Sequence, residues 1–220
     1  MRTLITGGGS GLGAAIAREL APDHELVLMG RREAPLRKVA EELGASWLVG
    51  DITQDPGGWI EAAGPLTHLV NNAGHGHLAA VADWSAQDLR GLLEVHVVAP
   101  AMLARAFAAQ APQGASVLNL SSTLAARSAP GLGLYAAAKA GLSSLTRSLA
   151  VELAPRVRAN ALLVGVVPTD MTAHRDLDQL AALHPLGLGA PTDVGKAARF
   201  LLESPWITGV ELPVDGGLLL

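Results

Sequence analysis

Thr6-Gly7-Gly8-Gly9-Ser10-Gly11-Leu12-Gly13 governs how the rest of the chain is read. It follows Arg2–Thr6, a short apolar run that predicts a strand. It precedes a pattern that predicts a helix to about Leu20, capped by Ser10. Glycine tolerates positive φ and leaves no Cβ between the backbone and a ligand. A helix N-terminus offers free N–H groups and a positive dipole end, which suit a pyrophosphate. The spacing is G-x-x-x-G-x-G, and alone it describes a turn that binds nothing equally well. Its place between a first strand and a helix favours a dinucleotide.

Outward from this loop, strands and helices alternate. Further strands are expected at Glu25–Met29, Ser46–Val49, His68–Asn71, Val117–Leu120, Ala159–Val164 and Glu211–Val214. Between them, helices are expected at Ala34–Leu43, at Gly57–Ala63, from a Ser85 cap to about Gln110, at Leu134–Leu153, and from a Thr192 cap to Leu202. Such alternation implies βαβ units with right-handed crossovers. The strands are continuous apolar runs, as expected where helices cover both faces. The expected fold is α/β: a three-layer, doubly wound parallel sheet of the Rossmann type with about seven strands. No linker or repeat interrupts it, so residues 1–220 are expected to form one domain.

Composition narrows the partners. The net charge is −4, with no basic block, so neither nucleic acid nor an anionic membrane is expected. Cysteine is absent, which excludes disulfides, thiolate metal sites and cysteine nucleophiles. Gly7 follows the start too closely for a signal sequence, and no uninterrupted apolar run reaches the ~18 residues of a membrane helix. The chain is read as soluble and cytoplasmic.

The second strand ends in Met29-Gly30-Arg31-Arg32. A fold of this kind that prefers NAD places an acid about 20 residues past the glycines, on the ribose 2′-hydroxyl. Here two arginines stand instead, suited to a 2′-phosphate. NADP(H) is therefore expected over NAD(H). The plain alternative is two solvated arginines opening a loop.

Tyr135 is the only tyrosine, and Lys139 follows four residues later, on the same face of the expected helix. A nearby ammonium should lower the phenol pKa and fit it for proton exchange with a carbonyl or alcohol oxygen. Ser122, at the end of the fifth strand, is placed to hydrogen-bond that oxygen. Each feature alone matches an ordinary helix surface or turn.

Together, in order, these motifs resemble the short-chain dehydrogenase/reductase family over nearly the whole chain. The matching pieces are Thr6-Gly7-x-x-x-Gly11-x-Gly13, Asp51-Ile52, Asn71-Asn72-Ala73-Gly74, Ser122, Tyr135-x-x-x-Lys139 and Asp215-Gly216-Gly217. The resemblance implies that Tyr135 is the general acid/base, that Lys139 holds the nicotinamide ribose and tunes the tyrosine, and that Ser122 orients the substrate. It places Asp51 and Ile52 at the adenine, and Asn71, Ala73 and Gly74 beside the adenosine ribose. Val167 and Thr169 fall near the nicotinamide carboxamide. With Thr6, Gly7, Gly9, Ser10, Gly11, Leu12, Gly13, Arg31 and Arg32, these complete the expected cofactor site.

The sequence departs from the family at three places, one being Leu188 in Pro185-Leu186-Gly187-Leu188-Gly189, where the family often carries arginine. His96, in Glu94-Val95-His96-Val97-Val98-Ala99-Pro100, stands where the family carries the asparagine of a proton relay; it is a candidate for the same role. Val164-Gly165 stands where the family shows Pro-Gly. Leu124, Leu132, Leu134, Val166, Met171 and Leu177 are expected to line an apolar pocket for a small carbonyl compound or alcohol. His75-Gly76-His77 lacks further ligands at a recognisable spacing, and no metal is expected. The apolar Leu218-Leu219-Leu220 is expected at a subunit interface, giving a homodimer or homotetramer. The rival reading is an NADP(H)-binding sensor that has lost turnover.

Overall fold

A computed structural model describes all residues, Met1–Leu220. Seven strands form one wholly parallel sheet in the order β3-β2-β1-β4-β5-β6-β7. They are β1 Arg2–Thr6, β2 Glu25–Gly30, β3 Ser46–Val49, β4 His68–Asn71, β5 Ala115–Ser122, β6 Val157–Val164 and β7 Glu211–Val214. The helices are α1 Gly11–Leu20, α2 Glu33–Leu43, α3 Pro56–Ala63, α4 Ala86–Leu93, α5 Ala99–Gln110, α6 Gly133–Leu153, α7 Leu177–Ala181 and α8 Pro191–Glu203. Strand order reverses between β1 and β4, the place where an open α/β sheet leaves a crevice at its carboxyl edge.

Each face of the sheet has its own core. Ile5, Leu28, Leu118 and Leu162 pack under α1, α2 and α8, and Leu4, Val27, Leu69 and Val117 pack under α3, α5 and α6. The alternation of adjacent residues between faces follows from the period of two along a strand. A Cβ on Gly195 of α8 would lie 3.1 Å from the Ala15 carbonyl of α1, so glycine permits the close approach of these helices.

Two expected caps are not made. Ser10 precedes α1, but its hydroxyl makes no capping bond and accepts instead from Arg32 Nη2 at 3.0 Å. α8 begins at Pro191, ahead of Thr192. Proline needs no donor at that position, and Asp193 Oδ2 accepts from the Ala190 amide at 2.9 Å. Ser85 does cap α4, accepting from the Asp88 amide at 3.0 Å.

The helical run Ala86–Gln110 is long and apolar enough to cross a membrane by length and composition alone, although Asp88, Arg90, Gly91, Glu94, Pro100 and Arg105 interrupt it. Its apolar face is spent inside the fold: Leu92, Leu103 and Phe107 are fully buried. The run is broken by a π turn at Glu94–Val98. Pro100 has no N–H to offer the His96 carbonyl one turn earlier, which is where the α-helical ladder fails.

At the carboxyl end of the chain, Leu218 lines the central cleft and its carbonyl accepts from Arg127 Nη1 at 3.3 Å. Leu219 donates its amide to Asp215 Oδ2, and Leu220 is fully exposed. Much of this tail is therefore folded onto the chain itself.

Candidate active site

The carboxyl ends of the strands open onto one cleft of about 970 Å³. Gly7, Gly9, Ser10, Gly11 and Leu12 form one wall. Gly7 and Gly11 adopt φ of +69° and +52°, conformations that other residues enter at a cost. Gly13 lies under the loop and does not line the cleft. A Cβ there would fall 2.2 Å from the Gly7 carbonyl, so its glycine lets α1 pack against the loop itself. Thr6 is also buried beneath the loop. Its hydroxyl donates to the Val70 carbonyl and accepts from the Asn72 and Ala73 amides.

Asn71 departs from the expected adenosine contact. Its side chain leaves the strand toward Asn119, with Nδ2 donating to Oδ1 at 2.9 Å, because the pleat sends it under the α6 face. Asn72, which was expected only as part of the turn, is what holds the loop: its Nδ2 donates to the Thr6 carbonyl at 2.9 Å. Ala73 and Gly74 do line the cleft.

Arg31 and Arg32 border the cleft at the end of β2, beside Asp51, Ile52 and Thr53. Arg32 reaches across to Ser10, while Arg31 stands 3.7 Å from Asp51. The Asp51 carboxyl is held below the ordinary carboxylate range, chiefly by hydrogen bonds from Thr53 and further by Arg31. A glycine cradle ending in two arginines and a paired acid fits an adenine dinucleotide carrying a 2′-phosphate.

The opposite wall comes from β5 and α6, which side-chain bonds lock together. Asn119 Nδ2 donates to Thr146 Oγ1 at 2.8 Å, and Ser121 Oγ donates to the Lys139 carbonyl at 3.1 Å. These contacts fix the rotation of α6 and bring Ser122, Tyr135 and Lys139 onto the same cleft. Ser122 Oγ accepts from the Leu124 amide at 3.2 Å. Lys139 Nζ lies 5.7 Å from the centre of the Tyr135 ring and donates to the Leu120 carbonyl at 2.6 Å.

The expected lowering of the tyrosine pKa is not what this geometry produces. Burial pushes Tyr135 up to about 12 and Lys139 down to about 7. Both groups sit in a low-dielectric wall where the cost of holding charge outweighs their mutual help.

His96 is buried in the π turn, its ring edge-on to Tyr135 with centroids 5.3 Å apart. Nε2 donates to the His75 carbonyl at 2.9 Å, and Nδ1 has no partner. Desolvation, then the nearby Lys139 charge, lowers its pKa to about 3, so the imidazole is neutral. A Cβ on Gly74 would lie 2.2 Å from His96 Cε1, so the ring and the bare glycine fit together.

Leu124, Leu132, Val166 and Met171 line the cleft as expected, together with Val167 and Thr169. Leu134 instead packs with Leu92 and Ala138 between α4 and α6. Leu177 does not line the cleft, whereas Leu180 and Leu183 do. The lining is also more polar than expected, with His77, Arg127, Arg175 and His184 all present. His184 was not singled out from the sequence. Its Nδ1 donates to the Leu180 carbonyl at 2.7 Å and its Nε2 accepts from the Val166 amide at 3.2 Å, tying α7 to the loop after β6. Only its place just before Pro185 could have drawn attention to it.

Comparison with known proteins agrees with this architecture. A family model described as Enoyl-(Acyl carrier protein) reductase matches residues 7–219. The chain is 34% identical over 230 residues to carbonyl reductase family member 4 of Xenopus tropicalis, covering 98% of this chain and 97% of that one. A short chain dehydrogenase from Burkholderia cenocepacia J2315, solved in complex with NADP, superposes with a TM-score of 0.94 at 30% identity, covering 100% of this chain and 98% of its own. A 3-ketoacyl-(acyl-carrier-protein) reductase from Brucella melitensis, complexed with NADH, superposes at 0.93 with 32% identity and the same coverage. The chain belongs to the short-chain dehydrogenase/reductase family of oxidoreductases.

Proposed function

We propose that this protein reduces a small carbonyl compound to an alcohol with NADPH, or runs the reverse reaction, using Tyr135, Lys139 and Ser122. The observation that carries the reading is the locked β5–α6 wall, which sets these three side chains on the cleft opposite the glycine loop. Reduced nicotinamide dinucleotide, which the glycine loop, Arg31 and Arg32 would hold, would supply the hydride for the carbonyl carbon. Ser122 Oγ holds the carbonyl oxygen, and Tyr135 donates its phenolic proton to that oxygen as negative charge develops there. A phenol held near 12 stays protonated through the neutral range, as a proton donor must. Lys139, poised near 7, returns a proton to the tyrosine. His96, edge-on to the Tyr135 ring and bonded to the His75 carbonyl, acts as a positioning residue. Arg31 and Arg32 favour the 2′-phosphate.

The test is consumption of NADPH, and of NADH as control, across ketones, aldehydes and quinones, comparing the natural protein with Tyr135→Phe and His96→Asn. Turnover that prefers NADPH and disappears in Tyr135→Phe supports the reading. Tight NADPH binding without turnover in the natural protein would overturn it in favour of a sensor.

A further inference from the structure

We infer that Arg127, assisted by Arg175, reads a carboxylate on the substrate, so that the carbonyl compound reduced here is a small oxo acid. The inference rests on the carbonyl-reductase reading above. Of the thirteen arginines, Arg2, Arg18, Arg31, Arg37, Arg147 and Arg199 each meet a carboxylate, while exposed Arg32 donates to Ser10, and Arg156 and Arg158, away from the cleft, donate to backbone carbonyls. Arg90 and Arg105 make no ion pair but are exposed to water. Arg127 and Arg175 differ from all of these. They are half-buried, they line the catalytic cleft, and no acid pairs with either.

Arg127 is well anchored for such a role. Its amide donates to the Thr123 carbonyl at 3.0 Å, closing the short helical turn that begins at Ser122. One guanidinium nitrogen donates to the Leu218 carbonyl at 3.3 Å. A guanidinium has five N–H donors, so most of this one remains available in a fork that matches a carboxylate. A tight turn advances only about 2 Å per residue, which holds Arg127 on the order of 10 Å from Ser122 along the backbone. A carboxylate a few bonds from a carbonyl held at Ser122 is within reach of the long arginine side chain. Arg175 lies in the segment before α7, its amide bonded to the Thr172 carbonyl and its side chain without a hydrogen bond. The acids bordering the cleft on this side, Glu94 and Asp170, are both exposed and neither pairs with these arginines. Leu124 and Leu132 supply apolar contact for the carbons between the two polar ends.

The test compares oxo carboxylates of increasing chain length with their methyl esters, measuring kcat/KM with saturating NADPH. The natural protein is expected to favour the acid over its ester by about tenfold or more, the value of a charge-assisted hydrogen bond. Arg127→Gln should lose that preference, Arg175→Gln should lose part of it, and Arg127→Lys should fall between. Arg105→Gln, at a side chain exposed on α5 and outside the cleft, is the control and should change nothing. A second arm measures binding of succinate and glutarate, which carry no carbonyl to reduce, to the NADP-loaded protein by calorimetry. Binding that Arg127→Gln abolishes supports the inference even if turnover is absent, which separates it from the reductase reading. Equal use of acid and ester, dicarboxylate binding that ignores Arg127, or a rise in the KM for NADPH with both substrate classes would overturn it.

Discussion

At the amino end of the sheet, Thr3, His24, His68 and Ser116 are buried together; at the carboxyl end, His96, Ser122 and Lys139 are. Both ends carry desolvated histidines. His24 Nδ1 meets Thr3 Oγ1 at 2.8 Å, and its ring lies 5.5 Å from that of His68. Burial pushes His68 down to about 4, much as it pushes His96 to about 3. Each retains an unpartnered Nδ1. The difference is the cleft: none of Thr3, His24, His68 or Ser116 borders it, whereas His96, Ser122 and Lys139 all do. A perturbed pKa marks burial; it marks a site only where the fold leaves room for a ligand.

The sharpest test of that contrast is Tyr135→Phe. It should cut kcat by about 10²- to 10⁴-fold, the usual share of a general acid, with a melting temperature close to that of the natural protein. A comparable loss of stability would break the contrast, because Tyr135 would then be a core residue like those at the far end.

Next in size is acid sensitivity at the amino end. Between its ordinary pKa of 6.5 and its folded value of about 4, His68 binds a proton in the unfolded chain and not in the folded one. Stability therefore falls as pH drops through that window, by about 3 kcal/mol in full. Urea unfolding at about pH 7 and about pH 5 should show it, and His68→Gln should flatten the slope while leaving turnover intact. His96 adds to the same trend, so its share persists in that variant.

Gly74→Ala should cost about 1–3 kcal/mol, since its Cβ would meet the His96 ring. His96→Ser should recover most of that loss, as a double-mutant cycle of melts would reveal. The smallest expected effect is Arg31→Gln. Removing a charge-assisted contact should raise the KM for NADPH about tenfold and leave that for NADH nearly unchanged. Equal effects on both cofactors would remove Arg31 from phosphate recognition.

Strand and helix identities could be read from sequence because they rest on local patterns. The bounds of β4 and β7 match the expectation, and the helix expected from Leu134 to Leu153 begins one residue earlier. β5 and β6 run longer than expected because each extends the other residue for residue along the register Ala115↔Val157 to Ser122↔Val164. α7 and the turns at Val81–Asp83 and Thr123–Ala125 were missed, being too short to carry a periodic signal.

By itself, the sequence determined the doubly wound parallel sheet, the glycine loop, and the presence of Ser122, Tyr135 and Lys139 in the order the family requires. These depend on spacing along the chain, which periodicity and glycine chemistry report directly. Tertiary structure alone decided that Asn72 rather than Asn71 serves the loop, that Leu134 leaves the pocket while Leu180 enters, and that His184 braces the Val166 amide. It also decided the protonation of the site, since Tyr135 and Lys139 are both driven toward neutrality. Which way a side chain turns, and how much water it keeps, depends on residues distant in sequence, and no local pattern encodes that.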